Sequence, residues 1–178
     1  SLVLMQCNTN YTGDLKNIKY SNLNVLNRFK KKFPKVVLGL SDHTFGHVTV
    51  LGAVMLGARV IEKHFTDNNK RKGPDHFFAM NPKTWKEMLS ATRDLESAMG
   101  DGVKRVEKNE LNSIVVQRRS IRANQTLNKG TILKENMFDY LRPCPRGALR
   151  PCDKKKMINK KLKKDIKYHE IIKFSDTF

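Results

Sequence analysis

Two short apolar runs each end on a histidine, and an apolar helical stretch separates them. The first is Val36-Val37-Leu38-Gly39-Leu40, followed by Ser41-Asp42-His43-Thr44. The second is Ala58-Arg59-Val60-Ile61-Glu62-Lys63-His64. Residues 47–58 lie between them. This is strand, helix, strand, with polar side chains gathered where each strand runs out. Parallel α/β proteins place their chemistry at the carboxyl ends of strands. If the two strands are neighbours, their ends lie about 5 Å apart. Two imidazoles there can share one metal ion.

The preceding and following segments repeat the alternation. Residues 2–5 read as a buried strand that runs into Gln6-Cys7-Asn8-Thr9-Asn10-Tyr11 and a loop at 12–14. Leu23, Val25, Leu26, Phe29 and Phe33 fall close to helical spacing, and Pro34 ends that helix. Strand 36–40, helix 47–57 and strand 59–64 come next. Residues 66–81 read as a long loop too polar for the core. Pro82 then opens a helix whose one face is Trp85, Met88, Leu89, Thr92, Leu95 and Met99, closed by Gly100 and Gly102. Three strand–helix units in a row imply a parallel sheet or barrel. Three strands alone leave raw edges, and the chain opens without methionine inside a strand-like run. The expectation is a piece of a longer protein.

After residue 100 the texture changes. Residues 101–112 read as a charged linker, and 113–122 as a β-branched, alternating strand. Short runs punctuated by Gly130 and Gly147 follow, and Pro143, Pro145 and Pro151 forbid long helices. The expected division is 1–100 for the strand–helix units, 101–112 for the linker and 113–178 for a small β-rich domain.

Composition narrows the function classes. No apolar stretch approaches the roughly 18–20 residues of a membrane helix. The three cysteines, Cys7, Cys144 and Cys152, are odd in number and lack CxxC spacing. That argues against a disulfide framework or a structural zinc site and favours a reducing compartment. The net charge of +18 raises nucleic-acid binding as one reading. Against it, the lysines are scattered apart from 30–32 and 154–164, and aromatic residues are not interleaved with them as a stacking surface needs. A solvated basic surface is the simpler account.

Among the polar residues at the strand ends, His43 and His64 are the sharpest candidates, because neutral imidazole is the commonest metal ligand. A lone histidine there is an ordinary hydrogen-bonded structural residue. Two, on consecutive strands and each beside a carboxylate (Asp42, Glu62), open the reading of a metal pair. Asp42 can equally cap the following helix, and Glu62 can be a buried ion-pair partner. Two histidines leave coordination positions open, as a catalytic site does. Manganese or magnesium filled out by water and substrate oxygens fits, and zinc is compatible. Asp75, in Gly73-Pro74-Asp75-His76, can accept from sugar hydroxyls or form an Asx turn. Tyr11 with Asn8, Thr9 and Asn10 offers neutral donors and acceptors, or a plain loop. Arg118, Arg119 and Arg122 alternate through the expected strand, with Arg142 beyond them. An exposed strand face accounts for all four as well as anion binding does.

The motifs Gly39-Leu40-Ser41-Asp42-His43-Thr44, Leu56-Gly57-Ala58-Arg59-Val60-Ile61-Glu62-Lys63-His64-Phe65-Thr66 and Gly73-Pro74-Asp75-His76 resemble the sialic acid synthase family. That family comprises the N-acetylneuraminate, legionaminate and pseudaminate synthases. The tail, with Arg119-Ser120-Ile121 and Lys129-Gly130-Thr131-Ile132-Leu133, resembles its antifreeze-like SAF domain. The resemblance implies the last three units of a (β/α)8 TIM barrel followed by a β-rich SAF (β-clip) domain. It implies a cytoplasmic transferase that condenses phosphoenolpyruvate with an open-chain N-acetylated amino sugar, giving a nine-carbon 2-keto sugar acid and phosphate. The acceptor would be N-acetylmannosamine or a diacetamido trideoxyhexose.

The resemblance also assigns residues. His43 and His64 become ligands of a divalent metal, manganese foremost with magnesium or cobalt as alternatives. Ser41 becomes a phosphoenolpyruvate contact, and Glu62 orients water or ligand. Tyr11, Thr9 and Asp75 become sugar-binding residues. Arg142 resembles the arginine that the SAF domain of one subunit lends to the other's active site in a domain-swapped homodimer. The segment after Tyr11 lacks the proline that often follows that tyrosine. The first five barrel strands, with their phosphate-holding lysines and hydroxyls, are not in this sequence, so the resemblance implies a chain inactive by itself. A non-catalytic sugar-binding relative and a basic nucleic-acid-binding module are the competing readings.

Overall fold

The computed structural model describes residues 2–11 and 13–178. Ser1 and Thr12, the latter in the loop expected at 12–14, lie outside the described residues. The chain divides into two compact units, Ser1–Val103 and Lys104–Phe178.

The first unit is built on three parallel strands in the order β1-β2-β3: Val3–Cys7, Val37–Asp42 and Val60–Lys63. Leu4 pairs with Leu38, Leu40 with Ile61, and Ser41 with both Cys7 and Glu62. Side chains alternate across a sheet, so the register sorts them into two faces. Leu38 and Leu40 point into a core closed by helices α1 (Val25–Lys32), α2 (Val48–Met55) and α3 (Pro82–Met99). Leu26 of α1, Val50, Ala53 and Val54 of α2 and Met88 of α3 complete that core. The other face carries Met5, Cys7, Gly39, Ser41, Val60 and Glu62 in matched rows. It leads directly to the two histidines.

Gly39 is required on that face by close approach. A Cβ there would stand 2.8 Å from the Val60 carbonyl oxygen and 2.9 Å from Met5 Cγ. The first of these is backbone and cannot swing away. Gly39→Ala is therefore expected to destabilise the complete gene product by about 1–3 kcal/mol through overpacking, read as a lowered denaturation midpoint. An unchanged midpoint would show that β2 and β3 have room to part.

The helix expected from Pro82 spans Pro82–Met99. Asn81 caps it through its side chain, and Gly100 ends it at φ 59°. Of its predicted apolar face, Trp85, Met88 and Leu95 pack on the core, whereas Leu89 and Met99 are exposed. The loop at 66–81 corrects a sequence expectation. Its last turn, Phe78-Ala79-Met80, is buried, and Met80 belongs to the main core. The reason is a short parallel bridge between Phe65 and Met80. The Met80 amide donates to the His64 carbonyl and the Thr66 amide to the Met80 carbonyl, both at 2.8 Å. Backbone pairing draws this apolar tail of a polar loop against β3.

The second unit has its own core of Ile121, Ala123, Leu127, Leu133, Phe138, Met157, Leu162, Ile166 and Ile172. Its only regular sheet among the described residues is an antiparallel pair, β4 (Ser120–Ala123) with β5 (Phe138–Leu141). Isolated bridges such as Leu127 to Ile166 and Leu162 to Thr177 tie the rest. The strand expected over 113–122 is corrected here. Leu111–Gln117 is a helix, α4, and extended pairing starts at Ser120. Strand preference is realised only against a partner, and β5 ends at Leu141, opposite Ser120. Among the described residues no strand faces 113–117, so the β-branched run stays helical. Among the described residues no helix is long and apolar enough to cross a membrane.

Candidate metal centre at the strand ends

Asp42 and Lys63 are register partners, so the residues that follow them, His43 and His64, emerge side by side. Their ring centroids lie 5.0 Å apart. An imidazole bound at about 2.1 Å has its ring centre roughly 3.2 Å from the ion, so two neighbouring ligands bring their ring centres to about 4.5–5.2 Å of each other. The observed separation fits that range.

The tautomers fit as well. His43 Nδ1 lies 2.8 Å from the Asn8 carbonyl oxygen, which can only accept. The proton therefore sits on Nδ1 and the lone pair on Nε2. His64 Nδ1 lies 3.3 Å from Asp75 Oδ2, which favours the same arrangement. A carbonyl or carboxylate behind each ring is the usual second layer of a histidine metal site. Among the described residues no third His, Cys, Asp or Glu joins the pair as a metal-holding group. The donor set is two neutral imidazoles, with the remaining positions left to water or substrate.

Tyr11 packs on both rings, 4.1 Å from His43 and 5.4 Å from His64 between centroids, while half of its own surface stays open. Phe78 supports His64 from another side at 5.3 Å. Gly13, at φ +59°, lets the loop after β1 close on Phe78, because a Cβ there would come within 2.6 Å of Phe78 Cβ. Ser41 Oγ donates to Glu62 Oε2 at 2.7 Å on the open face. Glu62 is thus exposed and paired with a hydroxyl, and the buried ion-pair alternative for it falls away.

The buried ionic residue is its neighbour. Lys63 Nζ lies 2.6 Å from Asp42 Oδ2, with both side chains almost wholly buried on the helix side of the sheet. Asp42 also accepts from the Thr44 amide and hydroxyl and from Thr49 Oγ1 at 2.6 Å. It ties the Thr49 side chain to the strand end but does not cap α2, whose N-cap position is His47. Sequence pattern alone does not single out Lys63, and it offers Asn8 only as a neutral polar group of the loop, not as the carbonyl behind His43. Strand parity was the available signal for Lys63, which shares the face of Ile61, opposite Glu62. Nothing local marks the Asn8 carbonyl.

Thr9 is exposed beyond the end of β1. His76 Nδ1 meets Thr66 Oγ1 at 2.8 Å, a loop contact. In the second unit Arg142 is exposed at the end of β5, before a cis peptide to Pro143. The Pro143 carbonyl accepts from Ser120 Oγ at 2.8 Å and from Arg122 at 3.3 Å. Arg122 also donates to the His169 carbonyl. Of the expected arginine row only Arg122 lies in a strand, and its guanidinium serves the fold.

A parallel α/β unit with a histidine pair at its strand ends, His43 buried and His64 partly exposed, joined in sequence to a small β unit, defines the class. Residues 1–104 match the NeuB family and residues 118–176 the SAF domain. The chain belongs to the NeuB family. It is 37% identical over 143 residues to the N,N'-diacetyllegionaminic acid synthase of Campylobacter jejuni, covering 80% of this chain and 42% of that protein. It is 35% identical over 175 residues to the pseudaminic acid synthase of the same species, covering 98% and 49%. The crystal structure of a Chromobacterium violaceum protein described as spore coat polysaccharide biosynthesis protein E shares the fold. It has a TM-score of 0.64 at 22% identity, over 99% of this chain and 52% of that one. The chain thus spans about half the length of the curated relatives it matches. The sequence-derived fold class, the end of a (β/α)8 barrel followed by a SAF domain, agrees with these matches.

Proposed function

We propose that this chain carries the metal-binding strand ends of a nonulosonic acid synthase. The complete protein joins phosphoenolpyruvate to an open-chain N-acetylated amino sugar, giving a nine-carbon 2-keto sugar acid and phosphate. The observation that carries the proposal is the pair His43 and His64, 5.0 Å apart with both Nδ1 atoms engaged behind them. Similarity to proteins named as legionaminic and pseudaminic acid synthases supports it.

His43 and His64 would hold the divalent ion, manganese foremost, through Nε2. Such an ion, when bound, supplies Lewis acidity to the sugar aldehyde. The methylene carbon of phosphoenolpyruvate attacks the aldehyde carbon, whose oxygen becomes a hydroxyl. Water adds at the former enol carbon, the C–O bond to phosphate breaks, and a ketone remains. Ser41 is the residue for a phosphoenolpyruvate contact, its hydroxyl needing only to turn from Glu62. Glu62 then accepts a proton or hydrogen bond from the incoming water. Tyr11 walls the two imidazoles and presents its hydroxyl, with Thr9, to the sugar. Asp75 has a second oxygen free of His64 for a sugar hydroxyl. Arg142, lent by a second subunit in a domain-swapped homodimer, would clamp polar groups of the sugar. The protein would work in the cytoplasm, where phosphoenolpyruvate is made.

The test is to incubate the complete gene product with phosphoenolpyruvate, manganese and N-acetylmannosamine or either diacetamido trideoxyhexose. Phosphate release and the mass of the keto acid are followed. Sugar-dependent phosphate release with a nine-carbon product is the expected result. Its absence with every sugar, from folded protein that binds manganese, would favour a sugar-binding relative without chemistry.

A further inference from the structure

The two candidate ligands are each preceded by one half of a buried ion pair. Lys63 Nζ reaches Asp42 Oδ2 at 2.6 Å and the Thr44 carbonyl oxygen at 2.7 Å. It therefore grips the residue before His43 and the residue after it, while its own chain continues directly into His64. Asp42 is held in turn by Thr49 Oγ1 of α2 and by the Thr44 amide. Every one of these groups is buried on the face opposite the open site.

We propose that Asp42 and Lys63 are positioning residues for the metal: the buried pair locks the ends of β2 and β3 in the one register that sets His43 beside His64. This rests on the proposed metal reading of the histidine pair. A buried ion pair is weak evidence for stability, since well-packed apolar residues often serve as well. What it supplies is selectivity. The carboxylate finds the ammonium only when Asp42 faces Lys63. A slip of two residues, which preserves the facing of every side chain, would move one imidazole about 6.6 Å along the strand. An apolar pair would tolerate that slip, and this pair does not.

Manganese(II) binding to the complete gene product, read as loss of the free-ion electron paramagnetic resonance signal, tests it without any turnover. Lys63→Met is expected to weaken binding on the order of 10- to 100-fold, the usual cost of losing a residue that orients a metal ligand. Thr49→Val leaves the charge pair intact and removes one of its hydrogen bonds. It is expected to weaken binding on the order of threefold, and it reports even where Lys63→Met does not fold. Leu26→Ala, in the core of the same unit and away from the site, is the control for lost stability. It should lower the melting temperature and leave manganese affinity unchanged. Wild-type affinity in folded Lys63→Met and in Thr49→Val overturns the proposal, as does an equal loss in Leu26→Ala. An unmodified protein that binds no manganese, or binds it equally without His43 and His64, overturns the metal reading itself.

Discussion

If the proposed function holds, replacing His43 and His64 together by alanine is expected to remove manganese binding and to drop sugar-dependent phosphate release from the complete gene product by at least about a thousandfold. The magnitude follows from the several kcal/mol a Lewis acid contributes at a carbonyl, with each 1.36 kcal/mol worth a factor of ten. No third protein ligand stands ready among the described residues to keep the ion in place. The double variant should fold, because the sheet register and the Asp42–Lys63 pair lie on the other side of the strands. Its cost is the lost contacts of His43 with the Asn8 carbonyl and of His64 with Asp75, and a gap beneath Tyr11 and beside Phe78. Turnover and circular dichroism are measured on the same preparation. A folded double variant that still releases phosphate at the unmodified rate would remove the histidines from the chemistry.

Leu162→Ala carries the largest expected effect on stability. Leu162 is fully buried in the core of the second unit, and its backbone pairs with Gly130, Thr131 and Thr177. Truncation there loses the transfer energy of the side chain and leaves a cavity, together about 2–5 kcal/mol. A small unit has little in reserve, on the order of 0.05–0.15 kcal/mol per residue. The unit's melting temperature should fall by at least about 10 °C. Amide exchange over residues 120–178, followed by mass spectrometry, should accelerate throughout rather than near Leu162 alone. Leu162→Met nearly preserves volume and should cost less than about 1.5 kcal/mol. Unchanged exchange in the alanine variant would mean that the core has collapsed around the gap without loss.

Much of the first unit was legible because periodicity and punctuation agree there. Pro82 at the helix start, the apolar stripe through Met88 and Gly100 at the end leave one reading for α3. The apolar runs closing on His43 and His64 likewise specify strands with polar ends. The second unit was less legible. Its runs are short, isolated bridges supply as much of its pairing as the β4–β5 ladder, and, among the described residues, 113–117 follow the absence of a partner strand rather than their own preference. Burial of Phe78, Ala79 and Met80 was also hidden, since it depends on a bridge to Phe65.

The sequence by itself determined the strand–helix alternation, the change of texture after residue 100 and the two histidines as the sharpest candidates. Local pattern is enough for these, because side-chain period and breaker residues act within a few positions. Only the tertiary structure decided the rest: the 5.0 Å between the imidazoles, the Asn8 carbonyl and Asp75 behind them, and Lys63 rather than Glu62 as the buried ionic partner. Each of these depends on which residues face one another across strands. Register is a property of a paired sheet and of its burial, and no single strand contains it.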